Sequence, residues 1–270
     1  CTKTRFGHKE TISGFPDGRI IYNIHSEENL MTDIVSVLSL INYGFVLIFG
    51  IIVSFYFAGI QWEDNKRLFI LTTVLFVLFQ ALFYVLLGEN VLFKCYPVLI
   101  HIPLILIIRY ICHQNIYISF IAVMSAYLMC TPRKWFGTLA KYIFPEIPVI
   151  SDVVTIVITI PLLIVVIKYI SPYIIKLKEE SKNIISMFFL LPLTYYILEY
   201  ALTVYTNLLY TGKAVIIEFM DSFIVVLYFF LSIGTLSMSN KKNTAERENI
   251  ILSAAAAQAE KDTLAAKLNS

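Results

Sequence analysis

The chain has 270 residues, 58% hydrophobic and 15% charged, with a net charge of +2 and a mean hydropathy of +0.76. Soluble domains run at about 45–50% apolar and about 25% charged, so the composition excludes an ordinary water-soluble globule and makes lipid the main solvent. The small charge, with basic residues lying between apolar runs and not along a stripe, also argues against nucleic acid as a partner.

Residues 1–33 are polar and mixed, with His8, Lys9 and Glu10 followed by the turn-forming run Gly14-Phe15-Pro16-Asp17-Gly18. Arg19 to Ile24 reads as a short strand. This stretch holds too little apolar material for a core of its own and is read as a short extracytoplasmic segment. Cys1 admits two readings, a lipid-modified residue left after signal cleavage or, preferred here, a chain that begins inside a longer one. The other cysteines, Cys95, Cys112 and Cys130, are far apart, and without a CxxC or Cys/His spacing they give no zinc or redox signature.

From residue 34 the pattern changes to long apolar runs. A bilayer core about 30 Å thick needs roughly 20 apolar helical residues, and such runs fall near 34–60, 67–88, 91–112, 114–131, 151–176, 184–210 and 214–238. The expected fold is an all-α, polytopic helical bundle of about seven transmembrane helices occupying 34–238, since the alternating ten-residue segments of a strand barrel are absent. Gly88-Glu89-Asn90 and Thr211-Gly212-Lys213 are short enough to be tight turns between antiparallel neighbours. The longest internal connection, Thr131 to Ser151, mixes Arg133, Lys134, Trp135, Phe136, Lys141 and Tyr142 and is expected to lie as a helix at the headgroup level.

With the N-terminus outside, Lys66, Arg67, Arg109, Lys176, Lys178, Lys182, Lys241, Lys242 and Arg247 fall on the cytoplasmic side. Arg19, Lys94, Arg133, Lys134, Lys141 and Lys213 fall opposite, so the excess favours N-outside, C-inside. Residues 239–270 form a polar, helix-prone linker in which Asn243 and Glu246 resemble a capping pair that starts a helix. Ile250, Ala254, Ala257, Lys261, Leu264 and Leu268 follow the alternating four-three spacing of a coiled-coil seam, which points to a homodimer; an isolated alanine-rich helix is the competing reading.

Ionisable groups inside a span are costly, and each is a functional candidate. These are His101 and Arg109 in the third span, Glu199 in the sixth, and Glu218 and Asp221, three apart on one face of the seventh. The sharp reading is a polar pocket in which His101 meets Glu199, or failing that Glu218 and Asp221; the bland reading is a set of hydrogen bonds that fix helix register. Arg109, near a span boundary, reads as a snorkelling residue. Pro97 and Pro103 bracket His101 and should kink its helix. No nucleophile–base pair, phosphate-binding glycine loop or metal-ligand spacing is visible, so no catalytic site, metal or cofactor is expected in the chain itself.

Two stretches, Tyr96-Pro97-Val-Leu-Ile-His101-Ile-Pro103-Leu104 and Ser125-Ala126-Tyr127-Leu128-Met129-Cys130-Thr131-Pro132-Arg133-Lys134-Trp135-Phe136-Gly137, resemble the membrane input regions of clostridial sensor histidine kinases with a GHKL-type ATPase domain, broadly similar to accessory-gene-regulator sensors. The tail Glu246 to Leu252 with Gln258 to Lys261 resembles the helix that leads to the phosphoacceptor histidine in that family. The resemblance covers roughly residues 60–268. It implies a multi-pass protein of the bacterial cell membrane that senses a peptide or small molecule and passes the signal through its C-terminal helix to a two-component kinase core. ATP, Mg and a response regulator would belong to that core, expected beyond Ser270, because His8, His25, His101 and His113 all precede the tail. The rival function is a small transporter or permease with an intramembrane His/Glu/Asp path, for which an internal repeat would be expected and none is found.

Overall fold

The computed structural model describes the backbone of residues 18–180, 182–206 and 215–268; within these, the side chains of 18–33, 89, 90, 182, 183, 187, 203, 215–222, 224, 231, 232 and 263–268 lie outside the described set. Among the described residues the protein is helical throughout, in the order α1 Gly18–Phe57, α2 Trp62–Leu87, α3 Glu89–Tyr96, α4 Ile102–Leu106, α5 Ile116–Ile143, α6 Ile150–Val165, α7 Ser171–Lys176, α8 Lys182–Tyr200 and α9 Val215–Leu268. Wide π-helical turns join several of these into longer rods: Pro97–His101 and Ile107–Ile111 flank α4, and Val166–Ile170 links α6 to α7.

Five stretches are long and apolar enough to cross a membrane: Ile34–Phe57, Trp62–Leu87, Val91–Ile111, Ile116–Ile143 and Ile150–Glu179. The chain is a membrane protein. Ile184–Tyr200 is apolar but shorter.

Short connections make successive spans antiparallel. Gly59 (φ +72°) closes the α1–α2 turn and Gly88 (φ +75°) the α2–α3 turn, left-handed conformations that a residue without Cβ adopts at no steric cost. The bundle therefore has a Gly59 end, which also holds residues 112–115 and 180, and a Gly88 end, which holds residues 144–149.

α5 is the centre, packing on α1, α6, α8, α4 and α9. In its most apolar window 72% of residues are buried, against 17–33% in the other four spans, although it is the least apolar of the five. Both properties have one cause. Ser119, Ala122, Ser125, Ala126, Cys130, Thr131 and Gly137 are small and let neighbouring backbones approach, while lipid-facing α2 displays Leu71, Leu75, Leu78, Leu82 and Val85. At Gly137 a Cβ would overlap Thr155 Oγ1 and lie 2.9 Å from Ser151 Oγ, so α6 rests directly on the α5 backbone.

Three expectations are corrected. Arg19 to Ile24 is helical, part of α1, whose apolar period continues into the first span. Pro132 does not end the fourth span: α5 runs unbroken to Ile143, so Arg133 and Lys134 stand inside the bundle and not in a headgroup-level loop. A proline in a membrane helix leaves one carbonyl to be satisfied and is otherwise tolerated. Finally, no helix starts at Asn243, because α9 is continuous from Val215.

Candidate functional site

The third span supplies the site's centre. Pro97 and Pro103 each lack an N–H, and between them the backbone widens to a π turn whose last residue is His101. The imidazole is 8% exposed. Its Nδ1 lies 2.7 Å from the Tyr196 hydroxyl, and its ring sits edge-on to Tyr96, Tyr127 and Tyr196, with centroids 5.2, 5.4 and 5.3 Å away.

α5 contributes Tyr127, Cys130, Lys134 and Thr138, spaced three and four apart and therefore on one face. α8 contributes Tyr196, Glu199 and Tyr200 by the same rule. Glu199, 1% exposed, accepts a short hydrogen bond from the Tyr127 hydroxyl through one oxygen and pairs with Lys134 Nζ at 3.1 Å through the other. Lys134 keeps 34% of its side chain exposed and also lies 5.6 Å from the Tyr127 ring centre, a cation–π distance. Tyr96 donates to Gln80 Oε1 (3.3 Å), and Tyr200, stacked on Tyr196, donates to the Phe93 carbonyl.

Of these side chains, Gln80, Tyr96, His101, Tyr127, Cys130, Lys134, Thr138 and Tyr200 line a cavity of about 820 Å³, with Tyr196 and Glu199 behind its wall. Its lining runs from Asn42 to Ser54 on α1, through Gln80 and Tyr84 on α2 and Leu92 to Leu104, to Thr138 on α5 and Ser151 and Thr155 on α6. The lining extends from the Gly88 end past mid-depth, reaching Ser54, Leu104 and Val123 in the half towards Gly59. Val46, Leu47, Ile51, Leu104, Val123 and Ala126 supply apolar lining from α1, α4 and α5.

Beside the cavity lies a second buried polar group. Arg133 is fully buried; its Nε donates to Thr159 Oγ1 (2.6 Å), one terminal nitrogen donates to Asn42 Oδ1 (3.0 Å), and the guanidinium lies 5.7 Å from the Phe49 ring centre. Asn42 in turn donates to Asp152 (2.8 Å), so an amide stands between cation and carboxylate. The other terminal nitrogen, Nη1, has no hydrogen-bond partner among the described residues.

The anticipated direct His101–Glu199 contact is not formed. Both residues belong to one cluster, but Tyr196 takes the imidazole and Tyr127 and Lys134 take the carboxylate, phenols being long enough to bridge helices that the shorter side chains do not. Pro97, Pro103, Tyr96 and Tyr127 surround this cluster, whereas Pro132, Trp135 and Gly137 are backbone or packing positions on α5 and its neighbour, with Trp135 against Phe136. Glu218 and Asp221 lie outside the residues whose side chains are described. Arg109, exposed, donates to the Gln114 carbonyl at the Gly59 end. Ile250, Ala254 and Ala257 are exposed on α9, and Leu264 and Leu268 lie outside the described side chains.

Sequence reasoning missed Tyr196, Lys134 and Asn42. The available signal was spacing: Tyr196, Glu199 and Tyr200 share a face, and Asn42 is the lone amide in the first apolar run. Among the described residues no cluster of His, Cys, Asp and Glu could hold a metal ion. No protein-family model, no curated protein and no solved structure matches the chain.

Proposed function

We propose that this chain is the membrane input region of a sensor histidine kinase of the bacterial cell membrane, binding its signal in the α1–α5 cavity. Its reply would pass through α9 to a kinase core. The observation that carries the reading is the combination of a large, mostly apolar cavity lined by His101, Tyr127 and Lys134, with Glu199 bracing them from behind, and a last helix of 54 residues that leaves the bundle without a break. A transport path would not need such a helix. A receptor that must alter a distant domain would, because a rigid rod carries rotation or tilt along its length. The resemblance of the Tyr96 to Leu104 and Ser125 to Gly137 stretches to such sensors points the same way.

In this reading the chain crosses the membrane seven times, with the sixth span in α8 and the seventh in the first part of α9. The N-terminus is outside, and two copies pair along Ile250, Ala254, Ala257, Leu264 and Leu268. ATP and Mg serve the kinase core, and a response regulator is the downstream partner. The mechanism is a shift between two packings of the cluster, each favoured by one ligand state.

The test uses the full-length protein in phosphatidylcholine vesicles. Incubation with labelled ATP and Mg should give phosphate that is acid-labile and alkali-stable, as phosphohistidine is. The buried Lys134–Glu199 pair beside His101 also suits a proton or solute path, the transporter reading. Absence of phosphohistidine together with solute uptake driven by a pH gradient, lost in Glu199→Gln, would establish that rival instead.

A further inference from the structure

The cavity wall is one-sided in charge. Among the described residues, its lining includes Lys94, Lys134 and His101 but no aspartate or glutamate. Two described acids stand behind the wall: Glu199, at 1% exposure with one oxygen taken by Tyr127 and the other by Lys134, and Asp152, which accepts from the lining residue Asn42. Also behind the wall, next to the lining residues Asn42 and Lys134, is Arg133, fully buried and separated from Asp152 by Asn42.

The hydrogen-bonding groups are equally one-sided. Ser54 donates to Gly50 and Tyr96 to Gln80, so their hydrogens are used. With its oxygen occupied by Tyr96, Gln80 keeps the two N–H donors of its amide. In the tautomer where Tyr196 donates to His101 Nδ1, the proton sits on Nε2, a nitrogen with no hydrogen bond among the described residues and so open to an acceptor. Lys134 and His101 both lie within 6 Å of the Tyr127 ring, and Tyr96 joins His101 to Gln80. The donors thus form one connected strip, and Val46, Leu47 and Ile51 of α1 line the same cavity.

We propose that the cavity binds an anionic amphiphile: a carboxylate or phosphate head on the Lys134–His101–Gln80 strip and an alkyl or similarly apolar body against Val46, Leu47 and Ile51. The inference rests on the reading of the cavity as a signal-binding site and names the chemistry of the signal. Lys134 spends one of its three donors on Glu199 and is partly exposed, so an anion of the right length gains a charge-assisted hydrogen bond from it that a neutral or cationic molecule does not. The volume suits a drug-sized molecule, since such sites span about 300–1,000 Å³.

The test is displacement of 11-(dansylamino)undecanoate from the full-length protein in phosphatidylcholine nanodiscs. Dodecanoate and dodecyl phosphate should displace the probe at least ten-fold more effectively than methyl dodecanoate or dodecyltrimethylammonium. Phosphatidylglycerol in the disc separates the sources: displacement by it identifies a bilayer lipid as the occupant, and failure identifies a single-chain amphiphile. Lys134→Gln should weaken probe binding and Lys134→Arg should preserve it.

Because loss of Lys134 leaves Glu199 buried without its cation, a second variant is needed. Gly50 lines the cavity, and a Cβ placed there meets nothing within 4 Å, so Gly50→Leu should occupy the space along the α1 lining without strain and abolish binding in a protein that melts normally. Equal displacement by the ester or the ammonium compound, or unchanged binding in Gly50→Leu, would overturn the proposal. Phosphohistidine formation without amphiphile binding would leave the sensor reading in place and remove this one; binding without kinase activity would do the reverse.

Discussion

At the scale of single residues, Arg133 is the most demanding. A guanidinium with no exposed surface inside a span is held by two hydrogen bonds and an aromatic face. Its flat fork reaches Thr159 and Asn42 at once, and a lysine ammonium, a point donor on a flexible stem, cannot. Arg133→Lys keeps the buried charge and loses part of its support, at a cost of about 2 kcal/mol or more. Arg133→Met removes the charge with its desolvation penalty and fills similar space. The expected order of melting temperature in detergent is wild type, then Arg133→Met, then Arg133→Lys. Lysine above methionine would show that the charge, and not the fork, holds this corner.

The same residue shows what sequence could and could not reveal. Composition identified His101 and Glu199 as costly groups in apolar runs. It assigned Arg133 and Lys134 to the headgroups because a proline precedes them and aromatics follow, and that pattern is shared by interfacial helices. The difference lies in what α5 packs against. Asn42, Thr159 and Glu199 come from three other helices, 91, 26 and 65 positions away, and no local pattern announces them. The partner of His101 was hidden for a related reason: Tyr196 reads as an ordinary aromatic until α8 is placed on α5.

At the scale of elements, α5 and α6 make the closest approach, at Gly137. A methyl group there would displace Thr155 and Ser151 or force the helices apart, and overpacking of this kind costs about 1–3 kcal/mol. Gly137→Ala should therefore lower the melting temperature. Gly44→Ala, where a Cβ meets nothing within 4 Å, should leave it unchanged or raise it slightly. Equal effects at the two positions would contradict the packing described.

Helix placement also bears on orientation. With Arg133 and Lys134 inside the bundle, they no longer count among the loop charges of the Gly88 end, while Lys66, Arg67, Arg109 and Lys178 remain at or near the Gly59 end. The asymmetry that favours a cytoplasmic Gly59 end becomes steeper, since only loop and near-terminal charges set topology. A reporter fused after Lys242 should accordingly be cytoplasmic, and a tag inserted before Asp33 should be cleaved by protease added to intact cells. A protected N-terminal tag would reverse the assignment.

At the scale of the whole molecule, the fold class was legible because a bilayer imposes its length on every span, and that signal survives without any knowledge of packing. The central position of α5 was less legible, because its small and polar residues lower the very hydropathy by which spans are found. The resulting architecture joins two parts: a cavity that runs from the Gly88 end past mid-depth, braced by a His/Tyr/Glu/Lys cluster, and α9, which packs on α5 and α7 and then runs free with Ile250, Ala254 and Ala257 exposed. Because α5 touches both, a change in the Tyr127–Glu199–Lys134 bracing has a direct mechanical route to α9. The remaining link is whether α9 moves.

The most direct measurement is the distance distribution between spin labels on Lys66 at the Gly59 end and Ser253 on α9, both exposed, in the full-length protein in nanodiscs. Wild-type protein should show two populations. Glu199→Gln, which weakens the brace, and His101→Ala, which removes the other anchor, should lower the melting temperature and also redistribute the two populations in folded protein measured well below it. A distribution identical in all three folded proteins would mean that the cluster merely holds the bundle together and does not set the position of α9.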